Sequence, residues 1–266
     1  MVIDFHTHIF PDRIASKSIE SLEKASGITA ATDGTLSGLL NSMEKSTVSV
    51  SVILPVVTKP SQFDSVNQFA AEVNRTYSGK LLSFGGIHPD CEDYKNKLDT
   101  IKDLGLPGIK LHPDYQRVMI DDVRYMNIME YADSLGLIIM VHAGIDIGLP
   151  NPVHCPPDRA RKVLDTIKPS KMVLAHYGGW KQWEEVYELL AGENVYLDTS
   201  FTFEYIEREM FLKILEKHGH EKILFATDSP WSDAKKAVET VRSLPVLANV
   251  KEDILYNNAK RLLNMK

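Results

Sequence analysis

The chain has 266 residues, 44% hydrophobic and 25% charged, the balance of a globular protein with a sizeable core, which excludes disordered, collagen-like and disulfide-scaffold classes. Thirty Lys and Arg against 36 Asp and Glu give a net charge of −6 and a pI near 5.9, so no overall field favours nucleic acid or an anionic membrane as a partner. The opening MVIDFHTHIF has no basic leader, no apolar run approaches the roughly 18 residues of a membrane span, and Cys91 and Cys155 lie far apart, so a cytoplasmic protein with two buried thiols is expected.

In chain order, the first apolar run is VIDFHTH (2–8), and a helix-like RIASKSIESLEKAS (13–26) follows it. The connection from Phe10 to Leu36 is long, as a partial lid over a binding site would be. VSVSVILPVV (48–57) precedes the helix-like SVNQFAAEVNRTY (65–77), and LLSFGGI (81–87) and GIKLH (108–112) come next. DVRYMNIMEYADSLG (122–136), LIIMVHA (137–143), PPDRARKVLDTI (156–167) and KMVLAH (171–176) continue the alternation. NVYLDTS (194–200), KILFATD (222–228) and DAKKAVETVRSL (233–244) complete it. Eight runs rich in Val, Ile, Leu and Phe recur about every 31 residues, the length of a βα unit. Pro156 and Pro157 mark a helix start. No GxGxxG follows the first strand, and no linker or repeat divides the chain, so residues 1–266 are expected to form one (β/α)8 TIM-barrel domain rather than a doubly wound sheet.

Barrels gather their reactive groups at the carboxyl ends of the strands. The first strand ends in His6-Thr7-His8, the fifth runs into His142, the sixth into His176 and the eighth into Asp228. Strict alternation would put Asp4, His6 and His8 on one face and Phe5 and Thr7 on the other. Neutral imidazoles with a carboxylate suit a divalent cation; zinc is favoured, and iron, manganese, cobalt or nickel also fit the donor types. Asp228 suits the role of proton acceptor and donor, because Ser232 or Asp233 is the more natural cap of the helix that follows. His176 suits a donor to a water or a developing oxyanion.

The segments VIDFHTHIFP, LIIMVHAG, MVLAHYGG, FATDSPW and ILYNNAKRLL resemble the amidohydrolase superfamily, in its amidohydrolase-related branch. The resemblance runs from the first strand to the last helix. It implies a metal-dependent barrel enzyme, a hydrolase in most members and a decarboxylase or hydratase in others. Carried over by position, it implies that His6, His8, His142 and Asp228 hold a metal, and that His176 either binds a second metal or orients water. A carboxylated lysine on the fourth strand bridges two metals in some members. Lys110 stands in that position, with His112 beside it, so the resemblance leaves one or two metals open.

Several other residues carry expectations. Lys110 and Arg117 are candidate cations for an anionic group of the substrate, and Tyr177, Trp180 and Trp231 are candidate walls for an apolar or aromatic small molecule. Asp4 is placed behind the ligands, holding an imidazole, while Asp198 either orients His176, touches substrate or caps a helix. His154, His218 and His220 read as loop or helix-end residues, the last two solvated. His88, in GIHPD, partly matches the TatD-type deoxyribonucleases, but a nuclease is disfavoured by GIKLHP on the fourth strand and by the acidic pI. The expected activity is hydrolysis of a small-molecule C–N or C–O bond. A decarboxylase or hydratase on the same metal is the alternative, and a noncatalytic metal-binding protein ranks last. Homo-oligomerisation is left open.

Overall fold

The computed structural model describes residues 1–265. Its strands are β1 (Ile3–Thr7), β2 (Val50–Ile53), β3, β4 (Gly108–Leu111), β5 (Ile138–Val141), β6 (Met172–Leu174), β7 (Tyr196–Asp198) and β8 (Ile223–Leu224), all parallel to their neighbours. The third is in two pieces, Leu81–Ser83 and Gly85–Gly86, the first paired with β2 and the second with β4. Phe84, between them, stays in the barrel wall by donating its N–H to Ile53 O at 2.9 Å. Phe5 N to Phe225 O at 2.9 Å and Asp228 N to His6 O at 2.8 Å close β1 against the end of β8. The fold is the TIM barrel expected from the eight apolar runs.

The helices are α1 (Asp12–Ser26), α2 (Leu36–Ser46), α3 (Phe63–Thr76), α4 (Tyr94–Asp103), α5 (Pro113–Gln116), α6 (Val123–Ser134) and α7 (Pro157–Ile167). They continue as α8 (Trp183–Leu189), α9 (Arg208–His218), α10 (Ala234–Ser243), α11 (Ala248–Glu252) and α12 (Asn258–Leu262). Local chemistry sets several boundaries. Pro157 opens α7, and Asp233 caps α10 by accepting from Lys236 N at 3.1 Å, which leaves Asp228 free for other work.

Two apolar layers follow from strand alternation. Ile109, Leu111, Ile139, Val141, Leu174 and Leu197 pack outward against helix residues such as Leu98, Ile128 and Val163. Phe5, Val52, Phe84, Met140, Val173 and Leu224 form the inner cluster, which Ala259 and Leu262 of α12 adjoin. Lys110 alternates with Ile109 and Leu111 and so points inward. β1 departs from strict alternation. Its register with β2 shifts between Asp4 and Thr7, a bulge that lets Phe5 join the inner cluster while the next residue, His6, also reaches the interior.

One outer histidine was expected in solvent and is instead fixed. His218, at the end of α9, accepts from Gly192 N at 3.1 Å, and its Nε2 meets Val195 O at 3.0 Å. Burial pushes its pKa down to about 4. The unfolded chain binds that proton below about pH 6.5 whereas the folded chain resists it, so stability falls as pH drops through this window, by about 2 kcal/mol at pH ~4.5. Urea midpoints of His218→Gln should fall less between these pH values than those of the wild type; an unchanged slope would count against this account. His220 is also engaged, with Nε2 3.0 Å from Asp253 Oδ2.

Candidate metal centre and active-site cavity

The first cluster is built on β1 and the β8 loop. His6 Nε2 and His8 Nε2 lie 3.0 Å apart, and Asp228 Oδ1 is 3.3 Å from the first and 3.1 Å from the second. Asp228 is held in the left-handed region, φ 62°, a conformation whose cost a non-glycine residue bears where the fold needs the side chain aimed. The far nitrogens of both imidazoles are committed. His6 Nδ1 meets Asp198 Oδ2 at 2.9 Å, and His8 Nδ1 meets Leu54 O at 2.8 Å. A carbonyl, and a carboxylate in its ionised state, can only accept, so both Nδ1 atoms carry the protons and both Nε2 atoms present lone pairs. Two lone pairs and a carboxylate oxygen in mutual contact are the donor set of a divalent cation, and this is the observation by which the residues fit one.

Charge in the cluster is tuned by burial. Burial pushes Asp228 up, and the imidazoles of His6, His8 and His176 pull it down, to about 2, when they carry positive charge; with both Nε2 atoms unprotonated, a cation bound at the same oxygen would supply that pull. Burial, then Lys110, drives His6 well below the ordinary imidazole value, so it stays neutral. Lys110 is 1% exposed, its Nζ is 3.1 Å from His6 Nε2, and burial pushes it down to about 8 against the pull of Asp228 and Asp198.

His176 adjoins that trio, its ring centroid 5.5 Å from that of His6, and it in turn contacts His142, the histidine expected as the fifth-strand ligand. His176 Nδ1 meets Ser200 O at 3.0 Å, and its Nε2 meets His142 Nδ1 at 2.9 Å. Both nitrogens are therefore engaged in this arrangement, in which His176 holds His142. The His142 ring stacks on His112, with centroids 4.1 Å apart and planes 9° apart. Its Nε2 faces Asp114 Oδ2 at 3.7 Å and Asp146 Oδ2 at 3.9 Å. Burial raises Asp114 and pushes Asp146 up to about 6.

Asp198 takes the part expected of Asp4, besides contacting His176 as expected of it. Asp198 is the carboxylate behind His6, and its other oxygen accepts from the backbone N–H groups of His176 and Ser200, both at 3.0 Å. Asp4 touches no imidazole; it accepts from Thr227 Oγ1 at 2.6 Å and from Thr227 N at 3.0 Å. The bulge in β1 separates it from the face of His6.

Above these groups lies a cavity of about 750 Å³. The long first connection forms its roof, as expected, with Phe10, Ile14, Ser18, Leu22 and Ala25 of the α1 segment facing in. Lys110, His112, Trp180 and Trp231 line it, and Trp180 is fixed by a bond from Nε1 to Phe201 O at 3.1 Å. Two residues expected at the cavity, the cation Arg117 and the wall residue Tyr177, are elsewhere. Arg117 ends α5 in the left-handed region and is exposed outside the cavity, and Tyr177 is fully buried, stacked on Phe211 with its hydroxyl donating to Phe211 O at 3.2 Å. Arg13, which no sequence pattern singled out, stands on the lid and lines the cavity.

Neighbouring loops hold this wall. Gln116 Nε2 donates to Val57 O and Ile87 O, both at 2.7 Å, and its Oε1 accepts from His112 N at 3.1 Å. His154 Nδ1 is 2.9 Å from Asp114 Oδ1. His88 accepts from Asp90 N at 3.1 Å and is absent from both metal-type clusters among the described residues, so it adds nothing to a nuclease reading. Gly144, φ 83°, lets the β5 and β6 loops cross: a Cβ there would lie 2.0 Å from Trp180 N. Gly144→Ala should cost about 3 kcal/mol and shift the Trp180 wall, read as a lower denaturation midpoint and altered tryptophan fluorescence.

The amidohydrolase family model, of the amidohydrolase 2 type, matches residues 3–265, so the chain belongs to this family of metal-dependent enzymes. Among solved structures it is similar to an uncharacterised TIM-barrel protein from Bordetella bronchiseptica, at 20% identity and TM-score 0.81, covering 99% of this chain and 98% of that one. It is also similar to 5-carboxyvanillate decarboxylase from Sphingomonas paucimobilis, at 16% identity and TM-score 0.72, covering 100% and 99%. A third is a dihydroxybenzoic acid decarboxylase from Polaromonas with bound manganese, at 14% identity and TM-score 0.73, covering 99% and 97%. No curated protein sequence matches the chain. None of the described helices is long and apolar enough to cross a membrane.

Proposed function

We propose that the protein is a metal-dependent hydrolase that cleaves a C–N or C–O bond, in an amide, lactone or related group, of a small apolar or aromatic molecule. The observation that carries this reading is the ionised Asp228 carboxylate, which shares one opening with two imidazole lone pairs at the floor of the cavity. His6, His8 and Asp228 would hold the metal, with zinc favoured and manganese, bound by the Polaromonas relative, as the alternative. When bound, the metal supplies a lowered pKa for water and polarises the substrate carbonyl. Asp228 accepts the proton released as water attacks and returns it to the leaving group. Lys110 neutralises the buried carboxylates beside it. Tyr115, on the cavity wall, has a phenol that burial keeps protonated, which makes it an uncharged donor toward the substrate oxygen. Phe10, Trp180 and Trp231 exclude water from the apolar part.

The second reading is a nonoxidative decarboxylase, which the two decarboxylase relatives and the presence of Lys110 and Arg13 in the cavity favour. The hydrolase reading ranks first because Arg117, the other cation expected to receive a carboxylate, lies outside the cavity and Lys110 is directed at His6. Metal-loaded protein incubated in ¹⁸O-water with aryl amides, lactones and hydroxybenzoates separates the two. The proposal expects ¹⁸O in a product carboxyl group and no CO2; release of CO2 from a hydroxybenzoate without ¹⁸O uptake would establish the second reading instead.

A further inference from the structure

The cavity above the metal donors does not stop at the barrel mouth. Strand alternation turns Val52 and Leu54 of β2, and Phe84 of the third strand, toward the barrel interior. It turns Ile53 and its register partner Ser83 the other way, toward α3. Ile53 and Ser83 nonetheless line the same cavity of about 750 Å³ as His6, Lys110 and Asp228. A space confined to the inside of the barrel could not touch both sets. The cavity therefore passes over the end of β2, at Leu54 and Pro55, into a second lobe outside the wall, bounded by Ile53, by Val66 and Phe69 of α3 and by Ile14 of the lid. The crossing point adjoins the metal donors, because Leu54 O is the acceptor for His8 Nδ1 at 2.8 Å.

Hydrogen bonds hold this lobe open on the α3 side. Asn67 Nδ2 donates to Phe63 O at 2.8 Å and to Gly86 O at 2.9 Å, and its Oδ1 accepts from Gly86 N at 3.0 Å. Farther along the helix, Asn74 Nδ2 donates to Ser83 O at 3.0 Å and Asn74 Oδ1 accepts from Ser83 N. Gln62 Oε1 accepts from Thr58 N at 2.8 Å and from Thr58 Oγ1 and Lys59 N at 3.1 Å, which fixes the connection from β2 into α3. Val66 and Phe69 lie among these clamps and are kept from closing on Ile53. The opposite wall is looser, since α1 buries only Ala15 and Ile19 and leaves Ile14 44% exposed. Packed proteins leave few apolar gaps, and an empty one costs stability, so a preformed apolar lobe continuous with a reactive site is a place for a ligand.

We infer that the second lobe binds a flexible hydrocarbon chain of the substrate, so that the carbonyl compound cleaved at the metal donors carries an alkyl tail. The bond cleaved rests on the hydrolase reading; the tail does not. Ile14, Ile53, Val66 and Phe69 offer no donor or acceptor, and Ser83 Oγ is already engaged with Ile53 O at 3.4 Å and Phe84 O at 3.1 Å, so the deep part of the lobe asks for hydrocarbon. Arg13 and Ser65, which also line the cavity, are exposed and stand at its solvent side. The path bends around the end of β2, a turn that a chain of single bonds can follow and a rigid fused ring system cannot.

The test is calorimetric binding of methyl n-alkyl ketones, from butan-2-one to decan-2-one, to the metal-loaded protein. These compounds present a carbonyl and a tail but no bond for hydrolysis, so the readout is independent of the reaction. Affinity is expected to rise about three- to fourfold per methylene until the lobe is full, and then to level off. Val66→Trp, which fills the lobe, ends the rise at a shorter chain, and Phe69→Ala, which widens it, carries the rise to a longer one. Circular dichroism reports the fold, and Phe69→Ala alone decides if the Val66→Trp protein does not fold. Affinity that stays flat along the series, or a plateau that neither folded variant moves, would overturn the inference. Chain-length-dependent binding in a protein that only releases CO2 from hydroxybenzoates would keep the lobe and remove the hydrolase reading. Hydrolysis of short amides or lactones, with no gain in affinity from longer chains, would do the reverse.

Discussion

Asp228→Asn lowers turnover by about 10³-fold or more while the barrel stays folded. The carboxylate is the one group at the junction of β8 and the cavity that touches both His6 and His8, and its pKa lies low, at about 2, despite its burial. An amide is nearly isosteric, keeps an oxygen toward the imidazoles and cannot take a proton from water. The loss therefore falls on kcat, with a smaller change in KM. Steady-state kinetics on the first hydrolysed substrate, with metal content measured in the same samples, checks this. Turnover within a few-fold of the wild type would assign proton transfer to another group.

Asp198→Asn is expected to weaken metal binding by about 100-fold, close to 2.7 kcal/mol, without unfolding the protein. The effect works through a proton. Asp198 Oδ2 accepts from His6 Nδ1 at 2.9 Å, which leaves Nε2 with its lone pair toward His8 and Asp228. If the asparagine keeps Oδ1 on the N–H groups of His176 and Ser200, its NH2 group faces His6 Nδ1 and donates to it. The His6 proton then moves to Nε2, the atom the cation needs. Chelator competition reads the affinity and thermal denaturation reads the fold; unchanged affinity in a folded variant would show that Asp198 does not set the state of His6.

The sequence made the barrel and part of the site legible for different reasons. Eight apolar runs at regular spacing reflect burial on both faces of parallel strands, a demand made on every strand, so they stand out without any three-dimensional information. His6, His8 and Asp228 were legible because barrels place strand ends together, and the structure brings these three into contact. The roles of Asp4 and Asp198 were not, because they depend on a bulge in β1, and a one-residue shift in pairing leaves no mark on composition. Arg117 and Tyr177 followed strand ends in sequence but not in space: the first sits at the end of a one-turn helix and the second turns into the outer core. Asp114 and Asp146 were passed over because they lie beyond the ends of β4 and β5, in a one-turn helix and a loop, where an acidic residue is ordinarily solvated, and only the approach of those strands shows both facing His142.

The most direct test of the central claim is metal uptake by wild-type protein and by His6→Asn/His8→Asn, measured by elemental mass spectrometry after stripping and reloading with Zn2+ or Mn2+. The structure predicts that the substitutions remove one equivalent of tightly bound metal from a folded protein, together with activity. Equal metal content in both proteins would contradict a centre built on these two imidazoles and Asp228.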